Sequence, residues 1–120
     1  MEVKHESDLE LKELDEFHGS EHYYPIMCGI NATDGVRYLM ENGYSWMVTD
    51  AAVILRLQPT VRGQDFVVVR LKLLEEGRAK VVYDDGNGNL LFEQGYDWTD
   101  AKREPKLFFA DGILMLASEY

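Results

Sequence analysis

The sequence has 120 residues, of which 46% are hydrophobic and 28% are charged, and its formal net charge at pH 7 is −10. This length and composition are typical of one globular domain spanning residues 1–120 and argue against a disordered chain. The acidic excess disfavours direct binding to nucleic acid and to a membrane surface, because both carry negative charge. It favours a basic partner or plain solubility.

A single cysteine, Cys28, excludes an internal disulfide. The first residues, M-E-V-K-H-E, lack the apolar stretch of a signal peptide, and no segment approaches the roughly 20 apolar residues of a membrane helix. We therefore expect a cytoplasmic protein, with residues 1–7 as a flexible N-terminus.

Three helices are predicted in the first half of the chain. An S-D-L-E capping box introduces leucines at helical spacing, which predicts a helix over residues 8–17. A second helix opens at Thr33 and stops near Gly43, and a third begins at Ser45 and ends before Pro59. The aromatic, proline-interrupted segment 21–27 predicts extended chain or an edge strand.

The second half alternates apolar and polar residues, as β-strands do. The predicted strands are 66–74, 79–83, 90–98, 107–110 and 113–117. Turn residues at Asp84 to Asn89 and at Asp111-Gly112 join them as hairpins. The predicted fold class is α+β, with about three short helices packed on an antiparallel β-meander of about five strands.

Two short motifs suggest metal chemistry, and each has a simpler explanation. His18 to His22 spell H-x-x-E-H, a zinc-peptidase pattern that requires a continuous helix, but Gly19 and Ser20 interrupt it. Asp85 to Asn89 resemble the start of a calcium loop, but its usual glycine and final glutamate are missing. A polar loop and a hairpin turn explain these residues, so we assign no metal, no cofactor and no catalytic residue.

Several separated segments resemble, in the same order, a family of small proteins of unknown function encoded largely by bacteria, plasmids and phages. The segments are F-H-G-S-E-H-Y from Phe17, T-D-G-V-R-Y-L from Thr33, Y-S-W-M from Tyr44, D-D-G-N-G from Asp84, Gln94 with Thr99-Asp100, and L-A-S-E-Y from Leu116. The family tends to continue T-D-F-P where this chain has Thr99-Asp100-Ala101-Lys102. The resemblance implies one domain carried on mobile elements and assigns no activity.

The favoured hypothesis is a non-enzymatic, acidic interaction protein that binds a basic host protein, in its narrower form a nucleic-acid-handling one. An anti-defence inhibitor that mimics nucleic acid would act in this way, through carboxylates that replace phosphates. Residues 1–22 carry eight acids against two lysines, and the partner-binding candidates among them are Glu10, Glu13, Asp15, Glu16 and Glu21.

Two other hypotheses stay open. The first is a small enzyme or ligand-binding domain with a site around Glu21, His22, Asp34 and Asp100, which are polar residues beside turns and aromatics. The second is a structural or dimerising domain with no small-molecule chemistry. The oligomeric state stays open, with a homodimer as one alternative.

Overall fold

The computed structural model describes residues 22–120. The predicted helix over residues 8–17 and the predicted flexible segment 1–7 lie outside these residues. Within them, helix α1 (Asp34–Leu39) and helix α2 (Ser45–Leu57) follow each other closely. Thr33 caps α1 as predicted, because its hydroxyl accepts a hydrogen bond from the Val36 N–H at 3.3 Å.

A kinked turn, Met40–Tyr44, separates the two helices. Gly43 has a φ of 100° there, a left-handed conformation that favours glycine and ends the first helical run. α2 ends at Leu57, one residue before the extended Gln58 and two before Pro59, which agrees with the predicted boundary.

Seven strands form one mixed sheet. They are β1 (Tyr23–Pro25), β2 (Asn31–Thr33), β3 (Phe66–Leu73), β4 (Ala79–Asp84), β5 (Leu90–Tyr96), β6 (Lys106–Ala110) and β7 (Ile113–Leu116). Their order is β1-β2-β7-β6-β3-β4-β5, and β2 pairs with β7 in parallel. The α+β class is confirmed, and β1 lies at the predicted sheet edge. The predicted five-stranded antiparallel meander is wrong.

The order departs from a meander because β6 does not pair with β5, its predecessor in the chain. β6 reads K-L-F-F-A and buries Leu107 and Phe109, so it belongs in the interior of the sheet, beside β3. β5 carries Glu93, Gln94 and Gly95 in its middle and is placed at the edge, where polar residues are tolerated. Residues 97–105 carry the chain between these two positions.

α2 covers one face of the sheet. Its buried residues are Met47, Val48, Ala51, Ala52 and Leu55, which recur at helical spacing. They join one hydrophobic core with buried strand residues, among them Val69, Leu71, Val81, Leu107 and Leu114. The alternate strand residues point to the opposite face, which we call the open face.

The Glu119 side chain links the end of the described chain to the start of α1 by hydrogen bonds. Its carboxylate accepts hydrogen bonds from the Thr33 hydroxyl at 2.6 Å, the Gly35 N–H at 3.0 Å and the Leu116 N–H at 2.9 Å. We call this arrangement the Glu119 cap. It places a negative charge at the N-terminus of α1 and joins two of the segments that carry the family resemblance.

Candidate binding cleft

A surface cleft of about 240 Å³ lies between α2 and the end of β5. It combines three aromatic side chains with two carboxylates and a threonine. The lining residues are Trp46, Asp50, Tyr96, Trp98, Thr99 and Asp100. We call it the aromatic–acidic cleft, and no basic side chain is among these lining residues.

One wall of the cleft is a fixed unit built from α2 and β5. Trp46 and Asp50 are four residues apart on α2, so they lie on the same side of the helix. The Tyr96 hydroxyl donates a hydrogen bond of 2.7 Å to Asp50 Oδ2. The Trp46 and Tyr96 rings meet edge to face with centroids 5.0 Å apart, a favoured geometry for aromatic pairs.

The protonation of Tyr96 is well defined at neutral pH. Burial, and then the hydrogen bond to Asp50, raise the pKa of Tyr96 far above its usual value near 10. The Tyr96 phenol therefore keeps its proton and acts as a donor to Asp50. Because an ionised carboxylate offers about four acceptor positions, this bond leaves most of Asp50's capacity available to a ligand.

The opposite wall is the segment that leaves β5. The Thr99 N–H donates to the Gly77 carbonyl at 2.7 Å, which ties this segment to the β3–β4 turn. The Thr99 hydroxyl accepts from the Ala101 N–H at 3.1 Å and shapes the following turn. Trp98 is 72% exposed, which is unusual for a tryptophan and marks an interaction surface when other aromatics adjoin it.

This combination suits a cationic group. Aromatic faces attract ammonium and guanidinium ions through their ring quadrupole, and carboxylates supply the compensating charge. Within residues 22–120, Asp50 accepts one hydrogen bond and Asp100 accepts none. Both carboxylates can therefore neutralise a cation that enters between the rings.

The residues predicted for partner binding, Glu10, Glu13, Asp15, Glu16 and Glu21, lie outside the described residues.

His22 and Asp34, predicted for the alternative site, do come together, with His22 Nδ1 3.8 Å from Asp34 Oδ1. Asp34 also accepts a hydrogen bond of 2.9 Å from the Tyr24 hydroxyl. These contacts tie the edge strand β1 to α1. Asp100, predicted for the same site, instead lines the aromatic–acidic cleft.

The calcium-like segment is a hydrogen-bonded turn. Asp85 accepts from the backbone N–H groups of Asn87 and Asn89, at 2.8 and 3.2 Å, and from the Asn89 side chain at 2.8 Å. These bonds, the Asn89 side chain first, lower the pKa of Asp85. Across residues 22–120, no three His, Cys, Asp or Glu side chains form a group that could hold a metal ion. None of the helices in the same range has the length and apolar character needed to span a membrane.

One cleft carboxylate, Asp100, was predicted from the sequence as part of a different site, and Asp50 was not predicted. Trp46, Tyr96 and Trp98 were not among the predicted site residues. The available signal was local, because Trp46 and Asp50 share a helix face and Tyr96, Trp98 and Asp100 alternate after a strand. The pairing of these two segments depends on the tertiary fold.

No curated protein and no solved structure matches this chain. One family model matches residues 8–120, and its description is "Family of unknown function (DUF6876)". The match confirms the predicted resemblance to a family of unknown function. The chain therefore belongs to the DUF6876 family.

Proposed function

We propose that this protein is an interaction protein that binds a basic partner, and that the aromatic–acidic cleft receives a lysine or arginine side chain of that partner. The observation that carries the proposal is the union of Trp46, Tyr96 and Trp98 with Asp50 and Asp100 in one cleft. Tryptophan, tyrosine and arginine dominate the energetics of protein interfaces. An arginine or lysine that enters such a cleft gains both cation–π and charge-assisted contacts.

The net charge supports the same partner chemistry over a longer range. A chain with a formal charge of −10 attracts a basic surface and accelerates encounter at low salt. The narrower form of the proposal is a nucleic-acid mimic that acts against a host nucleic-acid-handling protein. Such a mimic binds through a broad acidic surface, whereas the broader form of the proposal requires only one cation inserted into the cleft. The two forms therefore differ in how strongly binding depends on the cleft.

Intrinsic fluorescence offers a direct test, because both tryptophans of the sequence, Trp46 and Trp98, line the cleft. A lysine-rich peptide should change this fluorescence on binding. The same peptide with its lysines acetylated should not, because acetylation removes the charge. We expect Asp100→Asn and Trp98→Ala each to weaken binding of the lysine-rich peptide by about tenfold or more, the loss of one good contact.

The matched control is Glu41→Gln, which removes one negative charge outside the cleft. Glu41 forms an exposed ion pair with Arg37 at 3.2 Å. We expect this variant to keep the peptide affinity within about twofold, since exposed charges contribute little. Equal binding of the acetylated peptide, or an equal loss in Glu41→Gln and Asp100→Asn, would refute the cleft as the cation site.

Titration calorimetry of the same peptide detects binding that leaves the fluorescence unchanged. Binding of that kind that is lost at high salt would favour the nucleic-acid mimic, so the two measurements together separate the two forms of the proposal.

A further inference from the structure

The open face of the sheet carries a cluster of cations, although the chain as a whole is acidic. Its members are Arg70 and Lys72 on β3, Lys80 on β4 and Lys106 on β6. Register places them together, because Lys106 lies directly opposite Arg70 and Lys80 lies directly opposite Lys72. Like charges at directly opposite positions destabilise a sheet, and one member of each pair has a carboxylate partner, Asp84 for Arg70 and Glu93 for Lys80.

Three of these cations line one depression of about 180 Å³, together with Leu71 and Glu104. We call it the basic depression, defined by Arg70, Lys72 and Lys106. Among residues 22–120, neither Lys72 nor Lys106 forms an ion pair. Their charges are thus not neutralised within the described chain.

Arg70 is oriented by its neighbour. Its Nε lies 3.3 Å from Asp84 Oδ2, and the same carboxylate accepts from the Gly86 N–H at 2.7 Å through Oδ1. This contact is an ion pair without a hydrogen bond, because the buried Arg70 Nε has no hydrogen-bond partner among residues 22–120. An arginine has five N–H donors, so those on the terminal nitrogens are left for an anion. The arrangement resembles the way proteins hold a bidentate oxyanion.

Glu104 is the one carboxylate on the rim, and its position has a separate cause. Its Oε2 accepts a hydrogen bond of 2.8 Å from the Leu73 N–H, which extends the pairing along β3 beyond the start of β6. The lining therefore carries three cations and one carboxylate, and the Asp84 carboxylate beside Arg70 reduces the excess to one positive charge. We propose that it binds a phosphate-type oxyanion, either free phosphate or the phosphate group of a small molecule.

An aromatic cluster adjoins this site on the open face. Phe66, Phe108 and Tyr120 lie with ring centroids 5.1 to 5.5 Å apart, and Lys106 Nζ lies 5.5 Å from the centre of the Phe108 ring. Tyr120 is 74% exposed. These rings offer a stacking surface next to the phosphate position. A small molecule with an aromatic base can stack on them and free phosphate cannot, so contact with the rings distinguishes the two sources of the anion.

The test is a titration of the full chain with inorganic phosphate and, in parallel, with adenosine monophosphate, followed through the backbone amide resonances. Sodium chloride at matched ionic strength serves as the reference, because it reports screening alone. We expect saturable shifts around Arg70, Lys72 and Lys106 with phosphate and not with chloride. Similar affinities for both compounds identify free phosphate as the ligand, and tighter binding of the nucleotide, with shifts at Phe108 and Tyr120, identifies a phosphate monoester.

Three variants in the depression and one control variant outside it make the test specific. Lys72→Gln and Lys106→Gln should each weaken phosphate binding about fivefold or more, whereas Glu104→Gln should strengthen it about threefold, because it removes the opposing charge while keeping the acceptor for Leu73. Arg62→Gln removes an exposed cation outside the depression and should leave the affinity within about twofold. Arg70 stays intact, since its ion pair with Asp84 supports β3 and β4.

The proposal is overturned if phosphate and chloride give the same shifts, or if Arg62→Gln weakens binding as much as the two lysine variants. Unchanged tryptophan fluorescence in each variant shows that the fold is preserved and that this site is independent of the aromatic–acidic cleft.

Discussion

The Glu119 cap and the aromatic–acidic cleft both place carboxylates beside polar and apolar groups, yet they use them in opposite ways. The Glu119 carboxylate receives three hydrogen bonds from its own chain. Within the described residues, Asp50 receives one and Asp100 none. A carboxylate whose acceptor positions are filled by the fold stabilises that fold, whereas one that faces a cleft with unused positions is available to a ligand.

The largest expected effect on stability comes from Gly35→Ala, which breaks the cap. A Cβ at this position would lie 2.5 Å from Leu116 Cδ1 and 2.7 Å from Glu119 Oε1. The Glu119 side chain cannot move away without losing its hydrogen bonds, so we expect a loss of about 3 kcal/mol in the free energy of unfolding. Urea unfolding measures it. Gly95→Ala is the matched control, because open space surrounds that strand position, and an equal loss there would contradict the cap.

Glu119→Gln is expected to have the next largest effect, about 2 kcal/mol. The amide nitrogen that replaces one oxygen cannot accept a hydrogen bond, so at least one of the three donors loses its partner. Hydrogen exchange at the Gly35 and Leu116 amides should become faster, while urea unfolding reports the stability. Glu93→Gln provides the comparison, because it removes an exposed ion pair of 3.4 Å with Lys80 and should cost less than about 1 kcal/mol. Similar losses in both variants would show that Glu119 acts only as a surface charge.

A smaller effect concerns the pH dependence of stability and involves Tyr83. The Tyr83 ring is fully buried, and its hydroxyl has no hydrogen-bond partner among residues 22–120. Burial, and then the charge of Asp50, raise the pKa of Tyr83 above the value near 10 that an unfolded tyrosine has. Its contribution to stability is therefore complete below about pH 10 and is lost as the pH rises beyond it, by up to about 1.4 kcal/mol per pH unit.

Tyr83→Phe should flatten this decline when urea unfolding is repeated at rising alkaline pH. Tyr96, whose pKa is raised by burial and by Asp50, should account for part of the slope that remains. A Tyr83→Phe protein with the original slope would mean that the Tyr83 phenol ionises equally in both states.

The smallest expected effect on stability belongs to the cleft itself. Trp98→Ala should change the free energy of unfolding by less than about 1 kcal/mol, because the ring is largely exposed. The same variant should lose affinity for a lysine-rich peptide, as proposed above. Urea unfolding followed by circular dichroism separates the two quantities. A loss of stability as large as that of Gly35→Ala would place Trp98 with the structural residues and remove the contrast between the two regions.

Local signals in the sequence were sufficient to predict much of the fold. The Thr33 cap, the end of α2 before Pro59 and the hairpin at Asp111-Gly112 all depend on neighbouring residues, and each matches the structure. β2 has only three residues and carries no strand pattern of its own. Its parallel pairing with β7 comes from contacts between distant parts of the chain, which alternation in the sequence does not encode.

The candidate site shows the same difference between local sequence signals and long-range contacts. Asp100 could be selected from its place after a strand, but its partners could not. The hydrogen bond between Tyr96 and Asp50 joins residues 46 positions apart, and only the packing of α2 against the sheet creates it. The Glu119 cap was also missed, since it joins Thr33 to a residue 86 positions away.

The place of β7 between β2 and β6 has a consequence for the order in which the molecule can assemble. β1 and β2 reach the rest of the sheet only through β7, and the α1 cap requires Glu119. β3, β4 and β5 are consecutive in the chain and can pair with one another without residues 113–119, but the β1–β2 hairpin has no strand to join until those residues are available. The contacts of β2 with β7 and of α1 with Glu119 each close a long loop of the chain, and this closure should limit the folding rate. The sheet should be completed only after residues 113–119 have left the ribosome.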